Sequence, residues 1–291
     1  MKIGITGGTG FIGHAVQSMA RTRGDEVILF SRREGKNKRL FSFSKPLDVS
    51  GCEGLVHLAG ESIMGLWTKE KRRRILESRV EGTRRLVEGI AAAQVKPRVL
   101  VSASAIGFYG DTGDKIADEN SPAGTGFLAE VAKAWEAEAL KAESLGVRVV
   151  RLRIGFVLGR EGGAMKLISP VFRLGLAGRL GSGHQWMSCI EVDDLASMIF
   201  ECLHDDSLSG AVNAVMPEPV TNGGFTKAAA RAAHRPALFP APAFALKLAL
   251  GDLSHLMLDS ARIVPALFND KRFPYRYRTV AEAMENVFGR S

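Results

Sequence analysis

Three glycines stand at Gly7, Gly10 and Gly13, with Thr9 in the first interval and Phe11 and Ile12 in the second. The spacing G-x-x-G-x-x-G, between an apolar run and a helical pattern, suits a turn whose backbone N–H groups face a pyrophosphate. About twenty residues on, an acid would hold the ribose hydroxyls of NAD. The chain instead reads Phe30-Ser31-Arg32-Arg33. A hydroxyl followed by two guanidiniums suits a 2′-phosphate, so the pattern favours NADP, as NADPH in its reduced form, over NAD. The blander alternative is that Arg32 and Arg33 only solvate a loop. Leu58-Ala59-Gly60-Glu61 puts small residues where the adenosine half of a cofactor would pass close to the backbone. Ser102, Ala103 and Ser104, with Tyr109 beyond, bring hydroxyls to the end of another apolar run. Ser104 is a candidate to hydrogen-bond a substrate carbonyl or hydroxyl, and Tyr109 is a candidate acid or proton relay. A Ser so placed equally caps a helix or turn. Arg79, in mid-helix, could reach the cofactor or serve as a salt-bridged surface residue.

Groups spaced this way need a parallel sheet to hold them. Lys2–Thr6, Val27–Phe30, Gly54–Leu58, Arg98–Ser102 and Val147–Ile154 are short apolar runs of the buried parallel kind, with Ala211–Val215 as a last short strand. Helical patterns alternate with them at Phe11–Arg23, Lys69–Ala93, Phe127–Ser144 and Val192–His204. Leu40–Phe43 reads as a short edge strand, and residues 160–190 as glycine-rich loop. After Pro217 the composition shifts. A helix at Phe225–Ala233 precedes a connector punctuated by Pro236, Pro240 and Pro242, then an apolar helix at Ala243–Leu250. Short strands at Arg262–Leu267 and Phe273–Tyr277 and a helix at Val280–Phe288 close the chain. The expected fold class is α/β: a doubly wound parallel-sheet Rossmann domain over residues 1–215, its 161–190 stretch lending to the substrate side. A small C-terminal α+β cap over residues 216–291 would sit above it.

The totals exclude several classes. Hydrophobic residues are 46% and charged residues 24% of the 291, an ordinary globular balance. Cys52, Cys189 and Cys202 are odd in number and far apart, which fits a reducing compartment and neither a disulfide framework nor a zinc site. The histidines are scattered, so no metal is expected. No apolar run reaches the roughly 18 to 20 residues that span a bilayer, and Met1 leads straight into the first strand, so the expectation is a cytoplasmic protein with no membrane partner. The net charge of +8 and pI near 9.6 come without the aromatic-interleaved basic run of a nucleic-acid platform; a polyanionic cofactor is the simpler partner.

The chain resembles the extended short-chain dehydrogenase/reductase superfamily. More closely it is similar to the atypical NAD(P)-dependent epimerase-family proteins that carry a characteristic small C-terminal domain. The resemblance rests on T-G-G-T-G-F-I-G at Thr6–Gly13, S-R at Ser31–Arg32, H-L-A-G-E at His57–Glu61 and S-R-x-x-G-T at Ser78–Thr83. It continues through S-A-S-A-I-G-F-Y-G at Ser102–Gly110, W-E at Trp135–Glu136, R-x-G-x-V-L-G at Arg153–Gly159 and R-P-A-L-F-P-A-P at Arg235–Pro242. Arg153 and Gly155 are further cofactor-side candidates, and in an enzyme His184 and Trp186 would line the substrate side. Extended members of the superfamily often form homodimers through a four-helix bundle, for which the helices at Lys69–Ala93 and Phe127–Ser144 could serve. The superfamily's base is a Tyr four residues before a Lys. Here Phe127 stands at or beside the Tyr position and Val131 or Ala132 at the Lys position. Two classes of function follow. One is an NADP-dependent oxidoreductase or epimerase with substituted chemistry, acting on a carbonyl or sugar-nucleotide-like substrate. The other is a non-catalytic NADP(H)-binding sensor or scaffold.

Overall fold

The computed structural model describes residues 1–32, 35, 38–160, 162–270 and 273–289, residue 270 by its backbone alone. In chain order it forms β1 (Lys2–Thr6), α1 (Phe11–Arg23), β2 (Glu26–Ser31), β3 (Lys38–Leu40), β4 (Gly54–His57), α2 (Lys69–Ala92), β5 (Val99–Ala105), α3 (Phe127–Leu140), β6 (Arg148–Ile154), β7 (Phe156–Leu158) and α4 (Met165–Arg173). There follow β8 (Trp186–Met187), β9 (Cys189–Glu191), α5 (Val192–His204), β10 (Gly210–Ala214), β11 (Val220–Thr221), α6 (Asn222–Ala232), α7 (Ala243–Leu250), α8 (His255–Leu258), α9 (Ala266–Asp270) and α10 (Val280–Phe288).

Among the described residues, seven strands make one sheet in the order β10-β6-β5-β4-β1-β2-β3, all parallel. Chain order reverses between β1 and β4, and in such sheets ligands bind in the crevice at that switch point. Both faces are covered by helices, so the strands are mainly apolar: Ile3, Ile5, Val56, Val99, Leu100, Val101, Val150 and Leu152 are all buried. One continuous core joins these strands to Phe268, Phe273 and the inner face of α10 in the C-terminal region.

The helix ends follow from local chemistry. Thr68 accepts from the Lys71 N–H at the start of α2, and Thr279 with Glu282 forms a capping box on α10. Gly24 ends α1 in the left-handed conformation.

Four expected elements are corrected. The edge strand is Lys38–Leu40; the Phe41 N–H still donates to the Ser31 carbonyl at its end, and the rings of Phe41 and Phe43 lie beside Gly82 of α2. The 160–190 stretch holds a helix with Pro170 inside it and short strands at Trp186–Met187 and Cys189–Glu191. In place of a strand at Arg262–Leu267 there is one bridge, Ala117 to Ile263, followed by helix α9. In the 273–277 segment the Asp194 carboxylate takes the N–H groups of Arg276 and Tyr277, donors that a strand partner would otherwise have satisfied.

Candidate functional site

The turn between β1 and α1 is built by glycine at each step. Gly7 has φ +70°, and a Cβ there would lie 2.7 Å from the Leu58 carbonyl carbon. At Gly13 a Cβ would fall 2.4 Å from the Gly7 oxygen, so only glycine lets α1 pack on the turn. Gly10 is different. Its Cβ position meets only the Gly7 oxygen at 3.3 Å, and its residue is exposed, so the backbone there is open to a ligand. Gly10 is the N-cap of α1 and supplies no side-chain cap, and the first intrahelical bond runs from His14 N–H to the Gly10 oxygen. The N–H groups of Phe11, Ile12 and Gly13 therefore begin a helix without a side-chain acceptor, as anion-binding turns do. Gln17 ties the turn together by donating to the Gly8 and Gly13 carbonyls. Thr9 is exposed beside Gly10.

Beside this turn, β2 ends at Ser31 and Arg32 is exposed; Arg33 lies outside the described residues. Arg32 is close enough to Glu61 to help hold the Glu61 carboxyl below its usual range, after the hydrogen bond from Lys71 at 2.8 Å and the charge of Arg74. Leu58 and Ala59 follow β4; the Leu58 N–H donates to the Thr6 carbonyl and the Ala59 N–H to the Thr6 hydroxyl. Gly60 lies against the Arg79 guanidinium, where a Cβ would approach its carbon to 3.2 Å.

Arg79 donates to the carbonyls of Glu61 and Ile75 and lies 5.0 Å over the Trp135 ring. Burial lowers its pKa to about 10, partly offset by Glu61, so it stays charged at neutral pH. Beneath it, His57 is fully buried between the hydroxyls of Thr6 (2.7 Å) and Thr83 (3.0 Å). The Thr83 hydroxyl gives its proton to the Arg79 carbonyl, so it accepts from His57 Nε2–H, and Nδ1 accepts from Thr6. Burial and the Arg79 charge push the His57 pKa down to about 4, which keeps the ring neutral.

The hydroxyls expected to face a substrate turn inwards. Ser104 is 3% exposed and donates to Glu136 Oε1 at 2.7 Å, which is neither a helix cap nor a turn cap. Tyr109 is 4% exposed; it donates to Asn213 Oδ1 at 2.7 Å and accepts from Arg153 Nη1 at 2.8 Å. Burial raises the Tyr109 pKa, with Arg153 opposing the rise. Arg153 grips Glu136 with two bonds, Nε to Oε1 at 2.8 Å and Nη2 to Oε2 at 2.9 Å, and stacks on Phe108 at 3.5 Å. Burial works against the Arg153 charge, but Glu136 outweighs it and raises the guanidinium pKa. Gly155 is filled by packing: a Cβ would sit 2.6 Å from the Ser188 oxygen. Ser102 is buried on β5, its hydroxyl on the Ala103 carbonyl, and Ala103 is buried beside it.

Residues 3–214 match the model of the NAD dependent epimerase/dehydratase family, and residues 241–287 match a domain of unknown function, DUF1731. The chain belongs to the NAD-dependent epimerase/dehydratase family. It is 36% identical over 302 residues to the chloroplastic epimerase family protein SDR39U1 homolog of Arabidopsis thaliana, covering 99% of this chain and 86% of that protein. It is 35% identical over 287 residues to epimerase family protein YfhF of Bacillus subtilis, covering 94% of each. The crystal structure of human epimerase family protein SDR39U1 (isoform 2) with NADPH superimposes with a TM-score of 0.92 at 30% identity, covering 99% of both chains. The family's Rossmann-like sheet and small C-terminal region are thus both present, as the motifs implied.

In this epimerase-family chain Phe127 opens α3, and its ring meets Trp67 edge-on at 5.3 Å with the Arg72 guanidinium 5.0 Å above it. Val131 and Ala132 are buried. Arg72 also pairs with Asp252, which links the start of α2 to the C-terminal region. Trp186 donates to Asp114 at 2.9 Å under the Arg262 guanidinium, while His184 is exposed. The W-E pair at Trp135–Glu136 does not by itself assign Glu136 a role. The alternation of Arg151 and Arg153 on β6, opposite Ser102 and Ser104 on β5, was the available signal, because it puts two cations on one face over α3. Among the described residues no group of three or more His, Cys, Asp or Glu is placed to hold a metal, and no helix is long and apolar enough to cross a membrane.

Proposed function

We propose that the chain binds NADPH at the Gly7–Gly13 turn and works as an oxidoreductase or epimerase on a small carbonyl or sugar-nucleotide-like substrate. The observation that carries the reading is the exposed Gly10 backbone at an uncapped helix start. In this reading the Phe11, Ile12 and Gly13 N–H groups hold the pyrophosphate, and Ser31, Arg32 and Arg33 select the 2′-phosphate. Leu58 to Glu61 border the adenosine half, and Arg79 supplies a fixed positive charge behind Gly60. Bound NADPH supplies a hydride. The chain's own residues bind and orient, and Ser104, Tyr109 and Arg153 act as positioning residues that hold β5 and β6 against α3 rather than as proton donors. Residues 216–291 cap the substrate side, a homodimer forms through α2 and α3, and three thiol cysteines suit a reducing compartment such as the cytoplasm.

A second reading, a sensor or scaffold that binds NADP(H) without chemistry, is favoured by one observation: both candidate hydroxyls already have protein partners. Calorimetry with NADPH and NADH, followed by a panel of carbonyl substrates monitored by nicotinamide absorbance, separates the two. NADPH binding tighter than NADH, with turnover, supports the enzyme. Tight NADPH binding without oxidation across the panel supports the sensor. Absence of heat with either coenzyme sinks both readings.

A further inference from the structure

Two acid-free segments carry nearly all of the chain's net charge. Residues 162–190 and 219–251 contain no Asp or Glu. The first holds Lys166, Arg173 and Arg179, and the second Lys227, Arg231, Arg235 and Lys247, all exposed. That is seven of the 39 Lys and Arg against none of the 31 Asp and Glu, in a protein of net charge +8. The same segments, about a fifth of the chain, hold eight of the fifteen exposed large apolar side chains among the described residues.

The structure brings the two segments together. Phe239 N–H donates to the Ala177 carbonyl, Ala241 N–H to Arg179, and Arg235 Nε to the Arg173 carbonyl, so the chain after α4 and the connector before α7 run side by side. On α4 the buried side chains are Met165, Ser169 and Phe172. Its opposite face is also apolar: Leu167, Pro170, Val171 and, just beyond, Leu174 follow helical spacing and are exposed. On α7 none of the eight residues is buried, and Phe244 (74% exposed) and Leu248 (87%) stand one turn apart with Lys247 between them. Leu238 (71%), in the connector between them, is exposed as well. The neighbouring acid Asp252 pairs with Arg72.

We propose that this face docks on an anionic lipid surface. Exposed Phe and Leu among unopposed Lys and Arg is the chemistry of a surface that enters the headgroup layer while its cations meet acidic lipid. Two other occupants fit less well. A second copy packed across a twofold axis sets the same cationic face against itself, where like charges repel. A nucleic acid neutralises the cations but leaves Leu174, Leu238 and Leu248 in water. Such docking needs no membrane span; it lays α7 along the interface.

Vesicle sedimentation tests it with the full chain. We expect binding to phosphatidylcholine vesicles containing phosphatidylglycerol, little binding to phosphatidylcholine alone, and loss on raising the salt. The double variant Phe244→Ser with Leu248→Ser should lower the affinity about tenfold or more. Val95→Ser, an exposed change far from α7 in sequence, should leave it unaltered. Because Phe244 and Leu248 are solvent-facing, an unchanged melting temperature confirms that the variant is folded. Equal binding to both vesicle types, no binding to either, or full binding by the double variant overturns the proposal. So does a concentration-dependent dimer in sedimentation equilibrium that the double variant abolishes, since a second copy would then cover the face.

Discussion

Glu136 accepts four hydrogen bonds, from Ser104, Arg151 and, twice, Arg153, at 2.7 to 2.9 Å. A buried carboxylate so fully met is costly to disturb, because removing its charge leaves two guanidiniums facing a neutral group. Glu136→Gln should therefore cost roughly 3–5 kcal/mol of stability, read as a lower denaturant midpoint with an unchanged slope. Tyr109→Phe keeps the ring but strands Asn213 Oδ1 and one Arg153 N–H, for about 1–3 kcal/mol. If Tyr109 positions rather than reacts, that variant loses stability and keeps NADPH affinity and any turnover. A Tyr109→Phe protein as stable as the parent but inactive would return the phenol to the chemistry. The Glu136 network was half-legible in the sequence: the alternating arginines were visible, but the partner that neutralises them is seventeen residues upstream of Arg153, on a helix whose register with the sheet only the folded chain fixes.

At the scale of single elements, the best-read parts were those with a local cause. The β1–turn–α1 unit, α5 and α7 carry their own punctuation in Gly10, Glu191 and Pro242, and the structure places them at the expected bounds. The misread parts owe their form to distant residues. The 160–190 stretch looks like loop because it is glycine-rich, yet Met165–Arg173 is helix, held by the burial of Met165, Ser169 and Phe172 in the core. The 273–277 segment looks like a strand, but Asp194 takes its donors. Glu191 shows how an element's cap responds to pH. It caps α5 by accepting from Asp193 and also accepts from Asn286 of α10. Burial raises its pKa from 4.5 to about 7. The unfolded chain therefore ionises Glu191 at lower pH than the folded one, so stability should fall as pH rises from about 4.5 to 7 and then level off. The contribution is at most roughly 3 kcal/mol. Denaturation curves across that window should show the fall, and Glu191→Gln should flatten it.

The whole molecule behaves as one unit in its packing, whatever boundaries its sequence suggests. Asn213, on the edge strand of the sheet, accepts a hydrogen bond from the Tyr109 hydroxyl and donates to the Val264 carbonyl, while Glu119 accepts from Asn213 N–H and Ala266 N–H. Ser188 bonds Ala261 and Ile263, and Gln185 reaches Met257. The core that holds Ile3 and Val101 also holds Phe268 and Met284. A shift of composition after Pro217 marked a boundary in sequence, but composition cannot register hydrogen bonds made backwards across it. Such a structure should unfold in one step, with Trp135 on α3 and Trp186 on β8 reporting the same midpoint. NADPH at about a hundred times its dissociation constant should then stabilise the whole by ~2.7 kcal/mol, moving both reports together by roughly 4–5 °C. Calorimetry with and without coenzyme checks this. Two separated transitions, only one of them raised by NADPH, would show that residues 216–291 fold on their own and that coenzyme binding is felt by the sheet alone.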